Sequence, residues 1–175
     1  MNGARPMTTD PSAERHVTVE GVRLRFAAAH MATLGDELEP LHGHNYEVRC
    51  RVDGALTSDQ WVIDFSVLKR LVREACERLD HRFLLQTQSL VLRTTQTAEG
   101  WTVEHGTRRY VFPAADVAAL PIENTTAELI AQWLWGQVAG ELAASGGHGN
   151  LVRLAIDVEE MPGQAGGYAA MLAAS

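Results

Sequence analysis

Two histidines two residues apart, His42 and His44, open a stretch that alternates like a strand. Tyr46, Val48, Cys50 and Val52 all fall on the parity of His44. Side chains at i and i+2 of a strand leave the same face, so both imidazoles project together, and Gly43 between them adds no bulk. An earlier alternating run, Val22, Leu24, Phe26 and Ala28, ends on His30. If the two runs pair as antiparallel neighbours, the end of one lies beside the start of the other, and three imidazoles converge. Three protein ligands with a fourth position open is how a catalytic zinc is held. A lone His-x-His would read as ordinary strand-end histidines; the third histidine on the matching face turns the reading toward a metal.

The same parity rule marks a carboxylate. Leu154, Ile156 and Val158 share a face that ends on Glu160, whereas Arg153, Asp157 and Glu159 lie opposite. A carboxylate at the rim of an apolar face is costly without a partner. Ionised, it accepts two parallel N–H bonds, the pattern of a heterocycle edge carrying a ring N–H and an exocyclic amine. A solvated strand-end glutamate is the plainer alternative.

Other candidates carry structural readings beside the chemical ones. Asp80 and His81 are adjacent, and a carboxylate beside an imidazole suits proton transfer; a cationic histidine at a helix C-terminus is the alternative. Glu39, three residues before His42, is the acid nearest the proposed metal, or an exposed loop acid beside Asp36 and Glu37. Thr125, Thr126 and Glu128 read first as a helix start, and Asp64 as a cap. Neither Cys50 nor Cys76 looks like a nucleophile; both fall on apolar stripes and read as small core residues.

These residues need elements to hold them. Val17 to Ala29 reads as a first strand and His44 to Asp53 as a second, joined through the turn formers Gly35, Asp36 and Pro40. Val67, Leu68, Leu71, Val72, Ala75, Cys76 and Leu79 give an amphipathic helix. The stretch from about residue 86 to 120 reads as an insertion, with strands at 101–104 and 108–112 forming a hairpin around His105 and Gly106. A second helix opens at Thr125 with Glu128 three residues on, a capping box, and stops at Gly146 and Gly147. A third long strand follows, then a short fourth near Tyr168. The expected fold is α+β: an antiparallel four-stranded sheet with two helices on one face. Its open edges invite pairing with copies of the same chain.

Of 175 residues, 46% are apolar, enough for one domain, expected over residues 16–175 behind a disordered leader at 1–15. The formal charge of −7 and the lack of a Lys/Arg run argue against nucleic acid. No apolar run reaches about 18 residues, so no membrane span is expected. Two cysteines are too few for a disulfide framework and suit a reducing cytoplasm.

Six motifs occur in one order: Phe26-Ala27-Ala28-Ala29-His30, Leu41-His42-Gly43-His44-Asn45-Tyr46, Val62-Ile63-Asp64-Phe65, Leu79-Asp80-His81, Asn124-Thr125-Thr126-Ala127-Glu128 and Val158-Glu159-Glu160. Together they resemble the 6-pyruvoyl-tetrahydropterin and 6-carboxy-tetrahydropterin synthase family. The resemblance implies a tunnelling fold, in which three subunits close a barrel and two trimers stack into a hexamer. It implies zinc on His30, His42 and His44. It implies that Glu160, helped by Thr125 and Thr126, anchors a pterin between subunits, with Asp80 and His81 as a proton relay. One departure is informative: no cysteine lies between His30 and His42, where those synthases carry their general base. Glu39, in Glu39-Pro40-Leu41-His42-Gly43-His44, resembles a variant branch that uses a glutamate. That branch cleaves the side chain of dihydroneopterin by a retro-aldol step to 6-hydroxymethyl-dihydropterin. The residue after the anchor also differs, Met161 replacing the usual threonine. The alternatives are a pterin- or purine-binding hexamer without synthase activity, and an enzyme acting on a deazapurine precursor.

Overall fold

The computed structural model describes residues 14–146 and 148–173. The expected leader lies outside them except for residues 14 and 15, and so does Gly147. In chain order the elements are β1 (His16–Val19), β2 (Arg25–His30), β3 (Thr33–Leu34), β4 (Glu37–Leu38), β5 (His42–Gly54) and α1 (Phe65–Glu77). Then come β6 (Arg82–Gln86), β7 (Arg93–Gln96), β8 (Gly100–His105), β9 (Arg108–Pro113) and β10 (Val117–Leu120). The chain finishes with α2 (Ala127–Ser145), β11 (Leu151–Met161) and β12 (Gln164–Met171).

The centre is β5, whose 13 residues are long enough to serve several neighbours. On one edge it pairs antiparallel with β11; on the other it pairs with β2 and then, end to end, with β1. The expected single strand over Val17 to Ala29 is therefore two. Gly21, at φ 112°, takes a conformation that side chains disfavour, and the turn closes where Leu24 N donates to Gly21 O.

The sheet is larger and more mixed than expected. Its order is β10-β6-β2-β5-β11-β12, with β1 also on β5, making seven strands rather than four. The β10–β6 and β6–β2 pairs are parallel. A strand reached through a helix or a long insertion can return in either direction, so the sequence alternation did not fix this edge.

Both helices cover one face of the sheet. Tyr46, Val48, Cys50 and Val52 of β5 meet Leu154, Ile156 and Val158 of β11 there, all fully buried or nearly so. Asp64 caps α1, its Oδ1 accepting from Ser66 N at 2.7 Å. The capping box expected for α2 does not form: Thr126 is the N-cap, and its side chain makes no capping bond. Cys50 and Cys76 are free thiols within this core.

The insertion is a three-stranded antiparallel sheet, β7-β8-β9, rather than a bare hairpin. It covers the opposite face of β6. Leu84 faces the helices, while Phe83 and Leu85 join Met31, Leu38, Leu92, Val103 and Val117 in a second apolar cluster. Phe83 stacks on Phe112 of β9 at 4.1 Å.

Candidate functional site

The β2–β5 register sets His30 directly opposite His42, and Ala28 opposite His44. Cross-strand partners share a face, so the three imidazoles gather at one end of the sheet. Ring centroids lie 4.5 Å apart for His30 and His42, 4.9 Å for His42 and His44, and 5.3 Å for His30 and His44. One ring nitrogen from each falls within 4.8 Å of the others.

Hydrogen bonds fix which nitrogens are bare. His30 Nδ1 is 3.0 Å from the carbonyl of Thr125, and His42 Nδ1 is 2.8 Å from the carbonyl of Pro40. A carbonyl only accepts, so both Nδ1 atoms carry the proton and each Nε2 keeps a lone pair. Burial holds His30 down at about 4, against an ordinary 6.5, and so keeps it neutral. The two Nε2 atoms then face each other at 3.2 Å. Opposed lone pairs repel, and a cation between them removes the conflict. Two imidazoles on a tetrahedral zinc, at 2.0–2.1 Å each, sit about 3.3–3.4 Å apart. The donor set therefore fits zinc.

The three histidines line a 450 Å³ cavity together with Glu39, Thr125, Thr126, Glu128, Glu160, Met161 and Gln164. Of the residues singled out in the sequence, the three histidines, both threonines, Glu39 and Glu160 thus come together in one place. Burial, with like charge from Glu39, pushes the Glu160 carboxyl above the ordinary glutamate range, partly opposed by His44. The Glu39 carboxylate makes no hydrogen bond or ion pair with any described residue. Glu128, read from the sequence as part of a cap, instead turns into the cavity. Gly166 lets β12 approach the start of α2, since a Cβ there would lie 2.8 Å from that of Ala127.

One supporting group was missed. Gln86 is fully buried, donating to Met31 O at 3.0 Å and accepting from Thr125 Oγ1 at 3.2 Å. It therefore braces the residue whose carbonyl holds His30. Gln86 ends the Leu84 face of β6 as His30 ends that of β2, but the unbroken apolar run Phe83-Leu84-Leu85 hides that parity in the sequence. Asn124 adds a second brace by bonding both the N–H and the carbonyl of Thr33.

Asp80 and His81 are not among the residues lining this cavity. They lie beside β2, where Asp80 Oδ1 accepts from Ala27 N at 2.8 Å and His81 N donates to Ala27 O at 2.6 Å. His81 sits at φ 57°, and its Nδ1 is 2.8 Å from Asp80 Oδ2. Desolvation raises the Asp80 pKa, but the bonds from Ala27 and His81 outweigh it and hold the carboxyl below its usual range. The pair lines a separate depression with Arg25, Asn45 and Arg73. Burial pushes both cysteine thiols up to about 12, so neither is a nucleophile at neutral pH.

Comparison with known proteins gives the chain its family. A family model described as 6-pyruvoyl tetrahydropterin synthase matches residues 21–170. A Methanocaldococcus jannaschii protein, provisionally named a 6-carboxy-5,6,7,8-tetrahydropterin synthase, is 30% identical over 146 residues, covering 83% of this chain and 89% of its own. A Pyrococcus furiosus dihydroneopterin monophosphate aldolase is 39% identical over 62 residues, covering 35% of this chain and 53% of its own. The crystal structure of Plasmodium vivax 6-pyruvoyl tetrahydropterin synthase superposes with a TM-score of 0.85 at 30% identity, covering 91% of this chain and 99% of its own. Two further structures of that Plasmodium protein carry alanine or cysteine in place of a glutamate described as a catalytic residue. No helix among the described residues is long and apolar enough to cross a membrane. From β2 to β12 the fold is the tunnelling fold of these proteins, and the chain belongs to the 6-pyruvoyl tetrahydropterin synthase family.

Proposed function

We propose that this chain is a zinc-dependent lyase that cleaves the side chain of a dihydroneopterin-type substrate by a retro-aldol step, releasing 6-hydroxymethyl-dihydropterin. The observation that carries the reading is the one cavity uniting His30, His42 and His44 with the partly buried Glu160 and with Glu39, whose carboxylate is unpaired among the described residues. The aldolase name of the Pyrococcus relative and the catalytic glutamate of the Plasmodium protein support it.

His30, His42 and His44 would hold the zinc, which when bound polarises the substrate's side-chain oxygens and stabilises a developing oxyanion. Glu160 accepts the ring N–H and the exocyclic amine of the pterin and fixes its orientation. Thr125 and Thr126 border the ring. Glu39 removes the proton from the hydroxyl on the second side-chain carbon. That carbon becomes a carbonyl as its bond to the first breaks, and the electron pair passes into the conjugated ring. A proton returned to the first carbon completes the hydroxymethyl product. Asp80 and His81 supply that proton. Because neither lines the cavity of Glu39 and Glu160 in its own chain, they would do so at the site of a neighbouring copy. The open edges β10 and β12 are where copies would join, closing the barrel of a hexamer. A soluble enzyme of this kind would work in the cytoplasm.

The test is product analysis by mass spectrometry with dihydroneopterin, its monophosphate and its triphosphate. Formation of 6-hydroxymethyl-dihydropterin with a two-carbon aldehyde fragment is expected, and Glu39→Gln lowers kcat by about 10²–10⁴-fold with pterin binding retained. Pterin binding without any product would leave a binding protein; a 6-pyruvoyl or 6-carboxy product would replace the retro-aldol step.

A further inference from the structure

The inserted sheet touches the site through the tip of its β8–β9 hairpin. Arg108, the first residue of β9, reaches back across the β3–β4 ribbon. Its Nη2 donates to Leu38 O at 2.6 Å and its Nη1 to Glu39 O at 3.3 Å. His105, paired with Arg108 across the tip, donates from Nε2 to Asp36 O at 2.8 Å. Beneath them the Leu38 side chain is buried against Val103 of β8 and Phe83 of β6. The ribbon has two residues per strand and is too short to hold itself.

These bonds converge on Glu39. Its N–H donates to Ala32 O at 3.0 Å, its carbonyl and the one before it are taken by Arg108, and the one after, of Pro40, accepts from His42. The carboxylate itself has no bond to orient it among the described residues, so its direction there is set by the backbone. A guanidinium presents several donors in a fixed fork and can bridge two successive carbonyls. A lysine ammonium carries its donors on one nitrogen at the end of a flexible stem and holds the two carbonyls less rigidly.

We propose that Arg108, assisted by His105, is a positioning residue: the inserted hairpin clamps the Asp36–Glu39 loop and aims Glu39 at the substrate. The inserted sheet is thereby a part of the reaction apparatus rather than an appendage. This inference rests on Glu39 being the base, and its test separates the two.

The experiment uses the full chain loaded with zinc and 7,8-dihydroneopterin as substrate, comparing Arg108→Ala and Arg108→Lys with the unaltered protein. A displaced reacting group costs about a hundredfold per ångström, so Arg108→Ala should lower kcat roughly ten- to a hundredfold, leaving KM and zinc content unchanged. Arg108→Lys should recover part of the loss. In a Glu39→Gln background, single-turnover rates should show no further loss from Arg108→Ala. Amide exchange at Glu39, whose N–H is held by Ala32, should quicken in Arg108→Ala. An unchanged kcat, or an equal loss with and without Glu39, overturns the proposal. If Glu39→Gln turns over normally, the base assignment fails, and the clamp is then judged on exchange alone: unaltered protection at Glu39 overturns it.

Discussion

Two groups of titratable residues flank β2, and they differ in completeness. At its end, His30, His42 and His44 meet within one chain, tautomers fixed by Thr125 and Pro40, in a cavity that also holds Glu39 and Glu160. Beside its middle, Asp80 and His81 are paired with each other and with the backbone of Ala27, and line a depression that holds none of these groups, although His81 also borders another beside His44. His81 is 83% exposed, whereas His30 is 2% exposed. A converging set of donors anchored on the buried His30 is a site largely built within one chain. An exposed pair held stiffly at a strand edge is half of one, shaped to be completed by something outside the chain. Under the proposed function, one subunit would furnish the metal and substrate grip while the proton relay works on a neighbour.

Breaking each half in a different chain tests that division. His42→Ala should abolish zinc binding and turnover, and His81→Ala should abolish turnover while keeping zinc. Co-expressed, the two variants should regain about a quarter of wild-type activity, the random share of sites drawing both intact halves from different copies. No recovery in mixed assemblies would place both halves of the site on one chain. A smaller effect separates grip from chemistry. Glu160→Ala removes two charge-assisted hydrogen bonds and should weaken pterin binding by roughly a hundredfold, about 3 kcal/mol, with zinc content unchanged, as read by calorimetry. The smallest effect is expected at the cysteines. With thiols held protonated up to about 12, native protein should resist thiol reagents at pH 8. A Cys50→Ala/Cys76→Ala double variant should retain its turnover; a lost rate would return the base role to a thiol.

The contrast also explains what was legible in the sequence. Strand alternation is strict where one face is buried, so the ends of β2, β5 and β11 announced His30, His44 and Glu160 directly. The long-range β2–β5 register followed from the same pattern. Four features did not show. Gln86 hides in a strand buried on both faces, where Phe83, Leu84 and Leu85 give no alternation to read. Glu128 sat in a spacing that matches a capping box, and only the close approach of β12 at Gly166 turns it into the cavity. The parallel β6–β10 edge and β7 depend on how the insertion folds back, which no local period encodes. The placement of Asp80 and His81 outside the cavity was equally invisible, since adjacency along the chain says nothing about which depression a pair faces.

We propose above all that His30, His42 and His44 share one ion inside the pocket that holds a pterin. X-ray absorption at the zinc edge on protein loaded with one zinc per chain, before and after adding dihydroneopterin, tests it directly. About three nitrogen ligands at 2.0–2.1 Å, plus an added oxygen when the substrate binds, is the predicted result. Fewer than three imidazoles in the shell, or a shell indifferent to the pterin, contradicts the account.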